Sequence, residues 1–203
     1  MKKFSFYFLL FLFTTSVLIS CKKDEPELNP AEGKTVTVDA SDYEEWVYFS
    51  FSSGDVVSVT NPETETNWDL GFLRNHIKTN GGTSGTGSGE VYDAGEVSFE
   101  SVTEAPATGY VADSETIEHT ILDFNQTPPA TIVDISANSV LETWGEFNDE
   151  MPPSFIVSDK IFVVKSADGK YAKIHVESYY NADHTSGHIT FEYKYQPDGS
   201  VSL

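Results

Sequence analysis

From residue 34 onward, apolar and polar positions alternate in short runs, and the three-to-four spacing of an amphipathic helix is scarce. The run "ITFEYKY" (189–195) puts Ile189, Phe191, Tyr193 and Tyr195 on one face and Thr190, Glu192 and Lys194 on the other. That period of two is the pattern of a half-buried strand. Before it, "SFIVSDKIFVVKS" (154–166) and "KYAKIHVESYY" (170–180) flank Ala167-Asp168-Gly169-Lys170, a turn signal between two β-rich runs. The last quarter therefore predicts a meander of three antiparallel strands. Upstream, "KTVTVDA", "EEWVYFSFSSGDVVSV", "WDLGFLRNHIKTN" and "EVSFESV" predict further strands, separated by Gly, Asn and Pro. One short helix is expected in "NSVLETWGEF" (138–147), with Ser139 capping its start and Gly145 ending it. The fold class is all-β and antiparallel, with at most one or two short helices.

The first twenty residues, MKKFSFYFLLFLFTTSVLIS, follow another logic. Two lysines, an apolar run and a small-polar stretch form a secretory signal, too short and wrongly flanked for a stable membrane span. Leu18-Ile19-Ser20-Cys21 resembles a bacterial lipobox, and Cys21 is the only cysteine in the chain. The expected modification is lipidation of Cys21 as the new N-terminus, and no disulfide forms within one chain. Residues 21–34 are a flexible linker by composition, rich in Lys, Glu and Pro without an apolar run. Its Lys22-Lys23-Asp24-Glu25 resembles the export signal that carries some lipoproteins to the outer face of the outer membrane, and it also serves as a charged spacer. Residues 35–203 form one β domain.

Charge narrows the range of partners. The chain has 32 acidic against 12 basic residues, a formal charge of −20, and losing the signal with its two lysines makes it more acidic still. Such a chain repels phosphate backbones and anionic head groups, which argues against nucleic acid and leaves the lipid anchor as the contact with the membrane. The acids are scattered, and aromatics make up 13% of residues, so the chain folds.

Several motifs lose their chemistry on inspection. "GGTSGTGSG" (81–89) lacks the lysine and the glycine spacing of a phosphate loop, and Ser84 and Ser88 are not in a nucleophile elbow. It reads as a turning loop. His184 and His188 fall in a hairpin loop and are expected in solvent; His175 is expected on an outward strand face. Arg74 and His76 read as a strand-end pair facing solvent. His119, in "TIEHTILDF", differs in having Ile117 and Ile121 on its own strand face, so it reads as a buried or edge histidine or as a ligand. Met151 stands alone between acids and Pro152-Pro153. A residue before proline is held in extended geometry, so this thioether is presented from a pre-set loop, either as the rim of a core or as a soft ligand such as an axial ligand to haem iron. No convergent catalytic set emerges among the acids, and no enzyme is expected.

Three stretches, "NWDLGFLRNHIKTNGGTSGTGSGEVYD" (67–93), "MPPSFIVSDKIFVVKSADGKYAKIHVESYY" (151–180) and "GHITFEYKYQPDG" (187–199), resemble the HmuY family of Bacteroidetes lipoproteins. The resemblance implies an all-β, hand-like protein that captures haem outside the cell and delivers it to a TonB-dependent outer-membrane transporter. In that family two axial side chains from mid-chain hold the iron, both histidines or both methionines. Here the resemblance implies His119 and Met151, 32 residues apart, as a mixed His/Met pair, with Trp144, Phe147 and Phe155 enclosing the ring and the propionates at the solvent edge. A rival reading keeps the scaffold without haem, as a surface glycan-binding or adhesive domain using Trp46, Trp144, Tyr179 and Tyr180 as exposed platforms.

Overall fold

The computed structural model describes residues 33–203. The signal segment, Cys21 and the linker up to residue 32 lie outside the described residues. Thirteen strands follow in order: β1 (Lys34–Asp39), β2 (Val47–Ser50), β3 (Asp55–Val57), β4 (Leu70–Leu73), β5 (His76–Thr79), β6 (Glu90–Gly95), β7 (Glu115–Leu122), β8 (Ala130–Ala137), β9 (Gly145–Phe147), β10 (Phe155–Val157), β11 (Ile161–Lys165), β12 (Tyr171–Tyr180) and β13 (Ser186–Gln196). The only helical pieces among the described residues are 3₁₀ turns at Phe99–Ser101 and Leu141–Trp144. Every strand pair is antiparallel.

A five-stranded sheet, β1-β13-β12-β11-β6, faces a four-stranded one, β3-β2-β4-β5. The core is the layer between them. Alternation along β13 buries Ile189, Phe191 and Tyr193, and alternation along β12 buries Ile174 and Val176. Phe49 of β2 meets Phe191 edge-on at 5.2 Å, and Phe72 of β4 stacks on the same ring at 5.5 Å. Large aromatics on alternate positions of facing strands lock the two sheets in register. Two further hairpins, β7-β8 and β9-β10, pair only with themselves.

The C-terminal meander forms as β11, β12 and β13, with Gly169 at φ 83° in the first turn, where a side chain would be strained. Four readings need correction. "SFIVSDKIFVVKS" is two strands, because Ser158-Asp159-Lys160 breaks it and hands β10 to β9 and β11 to the large sheet. "WDLGFLRNHIKTN" is a hairpin, folded at Arg74-Asn75 between the paired Leu73 and His76. "EVSFESV" is a 3₁₀ turn, and its carbonyls have a partner the alternation did not reveal: the buried Lys173 ammonium donates to Phe99 O (2.7 Å) and Val102 O (2.9 Å). The helix expected over 138–147 shrinks to Leu141–Trp144, and the capping side chain is Asn138, whose Oδ1 accepts from the backbone N–H groups of Val140 and Leu141, not Ser139. Gly145 ends that turn as expected, and a Cβ there would collide with Phe155.

Candidate functional site

A cleft of about 560 Å³ opens where the two self-paired hairpins leave the sheets. That volume suits a small organic ligand. One wall comes from β7, which contributes Glu118, His119 and Leu122; the β9-β10 hairpin contributes Phe147 and Pro153. Tyr43, Arg74, His76 and Tyr179 from the scaffold complete the cleft.

His119 is 3% exposed. Its Nε2 lies 2.7 Å from the Tyr43 carbonyl, which can only accept, so Nε2 carries the proton and Nδ1 the lone pair. The ring lies beside Tyr43 and meets the edge of His76 at 5.1 Å. His76 is itself held by Glu142, 2.9 Å from Nδ1. Burial lowers the His119 pKa from its ordinary 6.5; the Tyr43 bond opposes this, and the nearby His76 and Arg74 add to it. At neutral pH the imidazole is therefore neutral, the form that ligates metals, and it is oriented by a carbonyl through its other nitrogen, as metal-bound histidines commonly are.

Met151 sits at the tip of the β9-β10 hairpin, in a loop closed by Asn148, whose side chain bonds Ser154 Oγ (2.9 Å) and Ser154 N (2.8 Å). It is 91% exposed and is not among the residues lining the cleft, whereas its neighbour Pro153 is. His119 and Met151 are thus carried by the two separate hairpins beside the cleft.

The expected aromatic enclosure is only partly present. Trp144 and Phe155 are buried, their rings packed at a tilt 4.4 Å apart with Tyr179 behind them, and form the base of the β9-β10 hairpin. Phe147, 51% exposed, is the aromatic that faces the cleft from this hairpin. The same burial removes Trp144 and Tyr179 as sugar platforms, and the half-buried Trp46 has one ring face occupied by the Lys78 ammonium at 4.0 Å.

Arg74 and His76 do not face solvent. Arg74 is 8% exposed, and its guanidinium donates to Ser41 O (2.7 Å), Ser186 O (3.4 Å) and Ser186 Oγ (2.7 Å). Sequence reasoning missed it because the turn that places it carries no Gly or Pro. His184 is exposed and borders the cleft, as its loop position implied; His188 instead lies half-buried in β13, 3.5 Å from Asp39. His175 shares the outward face of the large sheet with Glu177 and Glu192, their ligand atoms all within 4.8 Å of one another. No helix among the described residues is long and apolar enough to cross a membrane.

The fold and site together define an all-β protein of stacked antiparallel sheets with a ligand-sized cleft between two projecting hairpins. The family model described as HmuY protein matches residues 42–193, and the chain belongs to the HmuY family. Among solved structures it is similar to a candidate HmuY-like haem-binding protein from Bacteroides vulgatus, with 28% identity over 80% of this chain and 91% of that one and a TM-score of 0.66. It is also similar to the apo form of an HmuY analogue from Tannerella forsythia (26% identity, 82% and 96% coverage, TM-score 0.66). A candidate lipoprotein from Bacteroides fragilis matches at 27% identity, 81% and 91% coverage and a TM-score of 0.63. No curated protein matches the chain.

Proposed function

We propose that this protein is a lipid-anchored, surface-exposed haem-binding protein of the outer membrane, not an enzyme, that captures haem and passes it to a TonB-dependent outer-membrane transporter. The observation that carries this reading is a neutral, carbonyl-oriented His119 in the cleft of a chain belonging to the HmuY family. His119 serves as one axial ligand to the haem iron. Met151, on the β9-β10 hairpin that borders the cleft, would serve as the other. A planar apolar ring also suits the residues at the two hairpin tips, where Leu122, Phe124, Phe147 and Met151 leave large apolar surface exposed. Mixed His/Met ligation favours the ferrous state relative to two histidines. Cys21, outside the described residues, provides the anchor.

Absorbance titration of the purified protein with haem, oxidised and then reduced, tests this reading, repeated on Met151→Ala and His119→Ala. A low-spin six-coordinate spectrum that each substitution degrades is expected. A spectrum of free haem in the presence of the unaltered protein would remove haem as the ligand.

A further inference from the structure

Arg74 is the only arginine in a chain with 32 acidic residues, yet no carboxylate among the described residues makes an ion pair with it. Its bonds go to two backbone carbonyls and a serine hydroxyl. Among the described residues no carboxylate lies within 4.0 Å of the guanidinium. The acids around it are engaged or turned outward: Asp42 accepts from the backbone N–H groups of Glu44 and Glu45, Glu142 is bonded to His76, and Glu118 is exposed on the cleft wall. The Asp42 carboxylate responds to the Arg74 charge without touching it, and a buried cation with no carboxylate in contact is costly in a protein with so many acids to supply one.

The backbone also yields to this side chain. Arg74 holds φ 53°, the left-handed region where glycine is least strained, in a turn of only Arg74 and Asn75 between paired strands. Across from it, Gly187 leaves room for the guanidinium: a Cβ there would lie 2.7 Å from Arg74 Nη1. The Tyr43 ring stacks on the guanidinium carbon at 4.3 Å, so the group is clamped in one orientation while still lining the cleft. A neutral donor would suffice to tie Ser41 to Ser186. The faces of the Tyr43 and Tyr179 rings take part of the charge, and no carboxylate in contact takes the rest.

We infer that Arg74 recognises a carboxylate of the cleft's ligand, which for haem is a propionate. The inference rests on the haem reading of the cleft and adds to it a direction of entry, with one propionate turned in toward Arg74 instead of both remaining at the solvent edge. A guanidinium suits this because its planar fork matches a carboxylate and its charge persists at every physiological pH.

The unaltered protein is titrated with haem and with haem dimethyl ester, which keeps the iron and ring and caps both carboxylates. The ester is expected to bind at least about tenfold more weakly, the scale of a charge-assisted hydrogen bond. Arg74→Gln should bring the two affinities together by weakening haem alone, and Arg74→Lys, which keeps the charge, should retain part of the difference. Equal affinity of the two ligands for the unaltered protein would overturn the role of Arg74 and leave the haem reading standing. Binding of neither would overturn both. A difference that survives in folded Arg74→Gln would place carboxylate recognition elsewhere and overturn the assignment.

Discussion

At the residue scale, the cleft depends on side chains whose ionisation is set by their surroundings. His119 has its pKa lowered chiefly by burial, so the folded protein binds its proton less readily than the unfolded chain does. Between the ordinary value near 6.5 and the lower folded value, the unfolded state holds more protons. Stability is then undiminished above about pH 6.5 and lost progressively as pH falls below it. Chemical denaturation at pH 7.5 and pH 5.5 should show this loss in the unaltered protein and a smaller one in His119→Gln. An equal loss in both would assign the effect to other groups. Legibility in the sequence divides at this scale along a physical line. His119 stood out because its strand neighbours are apolar, a local signal. Arg74 did not, since its burial is produced by Ser41, Ser186 and Tyr43, which only the folded chain brings to it.

At the element scale, alternation marked β13 best, because its inward positions are buried and its outward ones open; it did not mark β6, and β11, buried on both faces, read only as part of a longer apolar run. It failed where an element is defined by a partner remote in sequence. The turn at Phe99–Ser101 exists to meet Lys173, and β9 and β10 are too short for alternation to register. Those two strands are held from below: Phe155 packs on Trp144 at 4.4 Å, Tyr179 at 4.8 Å and Phe147 at 4.9 Å, and its N–H donates to the Tyr180 hydroxyl. Phe155→Ala should therefore cost about 3–5 kcal/mol in urea unfolding. Phe147→Ala should cost roughly 1 kcal/mol or less, because half of that ring is already in water, yet it should weaken haem binding. Comparable stability losses for the two would mean that the hairpin is not built on Phe155.

At the scale of the whole molecule, the net charge and the inferred ligand oppose each other. A chain with 32 acidic and 12 basic residues surrounds itself with a negative potential, and haem presents anionic propionates to it. Long-range repulsion slows their encounter, while the short-range interactions of the cleft act only after arrival. Salt separates the two contributions, because the screening length shortens to about 10 Å at 0.1 M. Repulsion across solvent then fades, whereas buried groups such as Arg74 are screened far less. Stopped-flow association with haem should accordingly speed up as ionic strength rises from roughly 0.01 to 0.15 M, with little change in the dissociation rate. The dimethyl ester, lacking the propionate charges, should associate at a rate that salt barely changes. Association that slows with salt would mean that a local positive field outweighs the overall charge, and Arg74→Gln would then show whether that field originates at the cleft.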